Sequence, residues 1–116
     1  IVLVPCCQAE VAAALRAGKR EALAKTPLAE LWRYPLHTRE LGSLLTNVLR
    51  CLLLEAHGYD VTVTELVGWE HSLKNELMVA SKTAPQGGRP RRSARERAEA
   101  ILREFHLDEL GPRFIY

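Results

Sequence analysis

The stretch that decides the fold runs from Gly58 to Lys82 and reads GYDVTVTELVGWEHSLKNELMVASK. The residues from Val61 to Thr64 alternate apolar and polar side chains of high strand propensity, which predicts a β-strand with one wetter face. The run from Leu77 to Ala80 is apolar without alternation, as is typical of a strand buried on both faces. The stretch is therefore interpreted as a hairpin whose second strand lies inside a sheet and whose first strand lies nearer its edge.

The first residues of the chain predict the third strand of this sheet. Ile1 to Val4 are apolar and mostly β-branched, and Pro5 ends the pattern, so we expect a strand buried on both faces. The chain begins inside this apolar run without methionine or a polar lead-in, and we expect it to be a piece of a longer protein. In such a piece Ile1 to Val4 would form an unpaired edge, which predicts a homodimer that pairs through it.

Helical patterns separate the predicted strands. Residues 9–24 carry a modest apolar stripe interrupted at Gly18, which predicts one kinked helix or two short ones. Thr26 with Pro27 predicts the start of a short helical turn. The strongest helix is predicted from Thr38 to His57, with Gly58 as its stop. Its apolar positions recur at helical spacing and are Leu41, Leu44, Leu45, Val48, Leu49 and Leu52.

A final helix is predicted after a loop from Thr83 to Arg92 that is rich in Pro, Gly and Arg. A capping-box pattern at Ser93 and Glu96 marks its start. Its expected apolar face consists of Ala94, Ala98, Ile101, Leu102 and Phe105. Five apolar residues of the C-terminal segment are expected to pack back on the body, namely Leu107, Leu110, Phe114, Ile115 and Tyr116.

These elements predict an α/β fold with a three-stranded mixed sheet and helices packed on it. The first and second strands are joined through helices, and such a crossover normally makes two strands parallel. The third strand turns back after a short loop and is the more apolar of the hairpin pair. We therefore expect it between the other two and antiparallel to both, in the spatial order 1-3-2.

Composition limits the class of protein. The 116 residues fit a single domain, and no apolar run approaches the roughly 20 residues of a membrane-spanning helix. The formal net charge of +2 is too small to indicate a nucleic-acid partner by itself. Three cysteines without regular spacing favour free thiols in a reducing compartment, which predicts a cytoplasmic protein.

Two short motifs resemble one group of class I S-adenosylmethionine-dependent methyltransferases. Val4-Pro5-Cys6-Cys7 resembles the paired-cysteine motif of that group, and the segment from Glu70 to Asn75, followed by Leu77 to Ala80, is similar to its polar turn and last strand. The resemblance covers about residues 1–82. It implies a partial Rossmann-like fold and the C-terminal portion of the methyltransferase domain, which would supply part of the sheet and one wall of the substrate site.

The first half of that family's domain has no counterpart in this sequence. A glycine-rich turn after a first strand and an acidic residue after a second one are both missing, and Gly87-Gly88 leads into no strand-to-helix turn. The resemblance thus implies S-adenosylmethionine as the cofactor of the full-length protein, and the N-terminal half of the same domain as a partner. We do not expect this piece to bind the cofactor or to be active alone.

The candidate substrate-binding residues are Cys6, Cys7, Gln8, His71 and Asn75. The first three follow the carboxyl end of a predicted strand, where open α/β sheets bind their ligands. Alternatively, Cys6 and Cys7 pack a turn, and Asn75 with Ser72 ties the loop backbone together. His71 belongs to the turn that resembles the family motif. No catalytic residue can be assigned, no metal-ligand spacing is present, and Cys51 is expected in the core.

An alternative function is a non-enzymatic module that binds RNA or a partner protein. It would use a cluster of basic side chains near the C-terminal helix. These side chains either contact phosphate groups or simply form a solvated surface. The members of this cluster are Arg89, Arg91, Arg92, Arg95 and Arg97.

Overall fold

The computed structural model describes residues 1–5, 10–16, 26–68, 76–83 and 91–114, and within α3 the side chains of Arg91 and Arg92 are excluded from description. The described strands are β1 (Val2–Leu3), β2 (Tyr59–Glu65) and β3 (Glu76–Lys82). The described α-helices are α1 (Glu10–Arg16), α2 (Pro35–Ala56), α3 (Arg91–Glu104) and α4 (Gly111–Phe114). Short 3-10 helices cover Pro27–Trp32 and Asp108–Leu110.

The three strands form an open sheet in the order β1-β3-β2, which confirms the predicted order. Both ladders are antiparallel, with Val2 opposite Val79 and Thr62 opposite the same residue on the other side. Because β3 separates β1 from β2, the two strands that run in the same direction never pair directly. The described sheet is therefore antiparallel throughout, and the prediction of a mixed sheet was wrong in this respect.

The expected burial of the first strand on both faces was wrong. Ile1, Val2, Leu3 and Val4 are all exposed, with Val2 at 68% and Val4 at 57% of full exposure. The reason is that β1 lies at one end of the strand order and has a neighbouring strand on one side only. The central strand β3 is better covered, since Met78 and Ala80 on one face are buried and Leu77 and Val79 on the other are half-buried.

Helix α2 begins at Pro35, three residues before the predicted start at Thr38. Proline suits the first helical position because its missing N–H needs no partner there. Thr38 lies inside the helix and is buried, with its hydroxyl oxygen 2.8 Å from the carbonyl oxygen of Trp32 and 3.1 Å from that of Tyr34. The predicted stop is confirmed, because Gly58 has a φ of 86°, a left-handed conformation that glycine adopts without strain.

The apolar stripe of α2 is narrower than predicted. Leu45, Leu49 and Leu52 are buried in the core, whereas Leu44 and Val48 are exposed. Successive residues of an α-helix are turned by about 100°, so Leu44 and Val48 lie on a flank of the buried stripe. This flank is exposed at Leu44 and Val48.

The core lies between helices on the side of α2 that faces away from the sheet. It joins residues from α1, the Pro27–Trp32 turn, α2, α3 and the C-terminal segment. Leu107, Leu110 and Phe114 are buried there as predicted, while Ile115 and Tyr116 fall outside the described residues. The predicted face of α3 is also confirmed, since Ala94, Ala98 and Leu102 are buried and Ile101 and Phe105 pack against the core.

One predicted helix start was wrong and another was confirmed. Helix α3 is described from Arg91, so Ser93 lies inside the helix and is not its cap. The predicted start at Thr26 and Pro27 is confirmed, because Thr26 precedes the Pro27–Trp32 turn in an extended conformation and Pro27 is the first helical residue, although the Thr26 side chain makes no capping bond. Of the helix predicted over residues 9–24, Glu10–Arg16 is observed as α1, and residues 17–25 fall outside the described part. No helix in the described ranges is long and apolar enough to span a membrane.

Candidate functional site

The described residues that adjoin the candidate segments Cys6–Gln8 and Glu70–Asn75 lie at the same end of the sheet. Because both ladders are antiparallel, β1 and β2 end where β3 begins. Pro5, which precedes Cys6, and Glu76, which follows Asn75, therefore lie at this same end. Ligands of open α/β sheets bind outside the carboxyl ends of strands that share a direction, and β1 and β2, which share a direction without pairing, both end here.

The predicted substrate-binding residues themselves are not described. Cys6, Cys7, Gln8, His71 and Asn75 all lie outside the described ranges, as does Arg89. Their predicted roles therefore stay predictions. What the structure describes is the framework to which they are attached.

A polar network fixes the start of β3 at this end of the sheet. Asn47, which is buried in α2, donates from Nδ2 to Oε2 of Glu76 at 2.9 Å. Its Oδ1 accepts a hydrogen bond from Nη1 of Arg50 at 3.3 Å. Glu76 also lies directly opposite Glu65 of β2, and two like charges in that position repel. The Asn47 amide offers Glu76 a donor on the helix side, so α2 holds the strand end in place.

Sequence reasoning missed this network, although a signal for it was present. Asn47 is a polar residue in the middle of the most apolar helix of the chain. A buried polar side chain is almost always hydrogen-bonded, so a partner could have been expected. Its identity could not, since Glu76 lies 29 positions away in the sequence.

Cys51 borders the same network on α2 and is half-buried, so it lies at the margin of the core and not fully inside it. Its Sγ is 3.9 Å from Sδ of Met78 on β3. Burial raises the pKa of the Cys51 thiol, and the carboxylates of Glu76 and Glu55 raise that pKa further. The thiol is thus held in its protonated form, which favours a packing role over a nucleophilic one.

The arginine cluster is partly neutralised within the fold. Nη2 of Arg97 contacts Oε2 of Glu55 at 2.6 Å and so links α3 to α2. Nε of Arg95 lies 3.9 Å from Oε1 of Glu99, one turn further along α3. The backbones of Arg91 and Arg92 are in α3, but their side chains are not described. Carboxylates therefore lie inside the surface that was predicted to contact phosphate.

The described residues contain neither a candidate metal site nor a buried polar side chain without a partner. No group of three or more His, Cys, Asp or Glu residues in that part is arranged to hold a metal ion. Every buried side-chain nitrogen or oxygen described has a hydrogen-bond partner. A depression between α3 and the C-terminal segment is lined by Glu99, Leu102, Arg103, Asp108 and Gly111.

Comparison of the chain with family models, with curated proteins and with solved structures found no match.

Proposed function

We propose that the chain is the C-terminal portion of an S-adenosylmethionine-dependent methyltransferase domain with a Rossmann-like sheet. The strand order carries this proposal: the last strand in sequence lies between two strands of common direction and antiparallel to both. That arrangement is the one that the resemblance of the Val4–Cys7 and Glu70–Asn75 motifs leads one to expect. In the proposed parent domain, β1, β2 and β3 correspond to the fifth, sixth and seventh strands.

In this proposal the sheet end beside Pro5 and Glu76 forms one wall of the acceptor site. Cys6, Cys7, Gln8, His71 and Asn75 contact the methyl acceptor, and the network of Asn47, Arg50 and Glu76 positions the strand from which the last of them extends. Chemistry in this class is mainly the alignment of the acceptor with the methyl group. The N-terminal half of the same domain supplies the cofactor site and a strand beside β1, and the reducing cytoplasm suits the free thiols.

The experiment compares two proteins. One is the chain of 116 residues, and the other carries in addition any residues that its gene encodes before Ile1. Calorimetry measures S-adenosylmethionine binding, and transfer of a tritiated methyl group is followed with RNA and with protein as acceptors. We expect micromolar binding and methyl transfer for the longer protein alone. Micromolar binding by the shorter chain would overturn the assignment of the cofactor site to the other half.

Variants of the longer protein test the acceptor wall. We expect Cys7→Ala and Asn75→Ala to lower the methyl-transfer rate while S-adenosylmethionine affinity stays unchanged, because these residues are proposed to contact the acceptor. Cys51→Ser is the matched control, since that thiol packs against Met78. Absence of cofactor binding in the longer protein would refute the proposed function as a whole.

The alternative of an RNA- or protein-binding module receives less support. Arg97 and Arg95 each have a carboxylate neighbour within the fold, Glu55 and Glu99 respectively. Arg89, Arg91 and Arg92 would have to supply most of the phosphate contact. RNA therefore enters this proposal as a candidate methyl acceptor and not as the partner of a separate arginine surface.

A further inference from the structure

The edge of β1 that faces away from β3 carries backbone N–H and C=O groups. The hydrogen bonds between Ile1 and Ala80 indicate which residues present them. Ile1 exchanges two hydrogen bonds with Ala80, from its N to the Ala80 oxygen at 2.8 Å and from the Ala80 N to the Ile1 oxygen at 2.8 Å. In an antiparallel ladder, residues alternate between hydrogen-bonded and non-hydrogen-bonded positions. Ile1 and Leu3 therefore direct their N–H and C=O groups towards β3. Val2 directs its groups towards the open side, and an extension of β1 by one residue past Leu3 directs those of Val4 the same way.

The side chains along this edge are apolar and uncharged. Val2 lies opposite Val79, so its side chain is on the same face of the sheet as Val79 and Thr62. Val4 follows on that face, and both valines are more than half exposed. Ile1 to Pro5 contains no charged side chain, although natural proteins commonly protect exposed edges with lysine or other charges.

We propose that the chain forms a two-fold symmetric dimer in which β1 pairs antiparallel with β1 of a second copy, centred on Leu3. Val2 of one copy then faces Val4 of the other, and each such pair exchanges two hydrogen bonds. The two copies together present four outward N–H groups and four outward C=O groups. Each N–H donates to a C=O of the other copy, so the edge is self-complementary. The two sheets join into one of six strands, in the order β2-β3-β1-β1-β3-β2.

The side chains complete this pairing on both faces. Val2 and Val4 of each copy form a cross-strand cluster of four valines on one face, and cross-strand pairs of β-branched residues stabilise a sheet. The two Leu3 side chains meet on the other face, in the closer spacing of a non-hydrogen-bonded position. The contact remains small compared with the roughly 1,200–2,000 Å² of a stable interface, so a weak and reversible dimer is expected. A strand supplied by a longer protein would occupy the same edge and prevent it.

Sedimentation velocity on the 116-residue chain over roughly 10 µM to 1 mM tests the proposal. We expect a monomer–dimer equilibrium without larger species. Val4→Pro removes an outward N–H and leaves the bonds to β3 intact, and should weaken association by about tenfold or more. Val2→Lys keeps every backbone group but places two like charges in the contact, and should also weaken it. Circular dichroism verifies that each variant is folded.

Thr64→Lys is the matched control. Thr64 is exposed on the same face, but it belongs to β2, two strands away from the proposed contact. It should change the association constant by less than about twofold. A wild-type chain that stays monomeric at every concentration overturns the proposal, as does open-ended assembly or equal loss of dimer in the Thr64→Lys control. No cofactor is used, so these outcomes are independent of the test of the methyltransferase proposal.

Discussion

At the residue scale, Thr38 shows that a polar residue near the start of a helix can belong to the core and need not cap the helix. Its hydroxyl lies at hydrogen-bond distance from two carbonyl oxygens, those of Trp32 and Tyr34, and the side chain is only 2% exposed. One hydroxyl proton can be donated to one acceptor at a time, and the Trp32 oxygen is the nearer. Thr38 therefore joins the Pro27–Trp32 turn to α2 and does not cap the helix.

Replacing Thr38 by Val should lower the free energy of unfolding by about 1–3 kcal/mol, because a buried carbonyl loses its donor while the volume stays the same. Thr38→Ser keeps the hydroxyl and loses one methyl group, so it should cost about 1 kcal/mol or less. Urea unfolding followed by circular dichroism measures both. Equal losses for the two variants would show that the hydrogen bond is not the source of the stabilisation.

At the element scale, the crossing of α1 and α2 depends on one glycine. A Cβ at Gly42 would lie 2.7 Å from the backbone N of Ala12 and 2.8 Å from its Cβ. The two helices can approach this closely only because position 42 has no side chain. Thr46, one turn later, is buried and donates its hydroxyl to the Gly42 carbonyl oxygen at 2.7 Å.

Gly42→Ala should therefore destabilise the protein by about 1–3 kcal/mol, since α1 must shift to admit the methyl group. In an open helix position the same change normally stabilises by up to about 1 kcal/mol. Gly111→Ala provides that comparison, because Gly111 is helical and nothing lies within 4 Å of the added Cβ. Thermal unfolding of both variants checks the contrast, and a stabilised Gly42→Ala variant would contradict the close crossing.

At the scale of the whole molecule, one core connects most helices and the sheet is attached through α2. The buried cluster includes Leu102 of α3 and Trp32, whose ring meets that of Phe105 edge-on with centroids 6.4 Å apart. The sheet contributes Met78 against Cys51 of α2 and the Glu76–Asn47 hydrogen bond. A single cooperative unit is the expectation, since α2 contributes to both layers.

Leu102→Ala should lower the free energy of unfolding by about 2–5 kcal/mol, as expected for truncation in a closed core. Val63→Ala should cost less than about 1 kcal/mol, because Val63 is 51% exposed on β2. Trp69 is the second of the two tryptophans in the sequence, so in a Trp69→Phe background the fluorescence reports on Trp32 alone. This fluorescence and the far-ultraviolet circular dichroism should give the same urea midpoint for each variant. Separate midpoints would mean that the helical layer and the sheet unfold independently.

The sequence by itself determined the main elements and the strand order of this protein. The hydrophobic period, the turn glycines and the length of the connections are local properties. They were enough to place β3 between β1 and β2 and to identify Gly58 as the stop after α2. The candidate substrate residues could be named from the same local patterns, but they lie outside the described residues, so their positions stay predictions.

The tertiary structure alone decided how far the apolar faces of β1 and α2 are covered and which distant residues meet. The exposure of Val2 and Val4, the hydroxyl of Thr38, the contact of Gly42 with Ala12 and the bond from Asn47 to Glu76 all depend on residues that approach only after packing. The hydrophobic period of a sequence shows which side chains are apolar, but it does not show which distant residues will pack against them. For that reason an apolar strand could be predicted correctly as a strand and wrongly as a buried one.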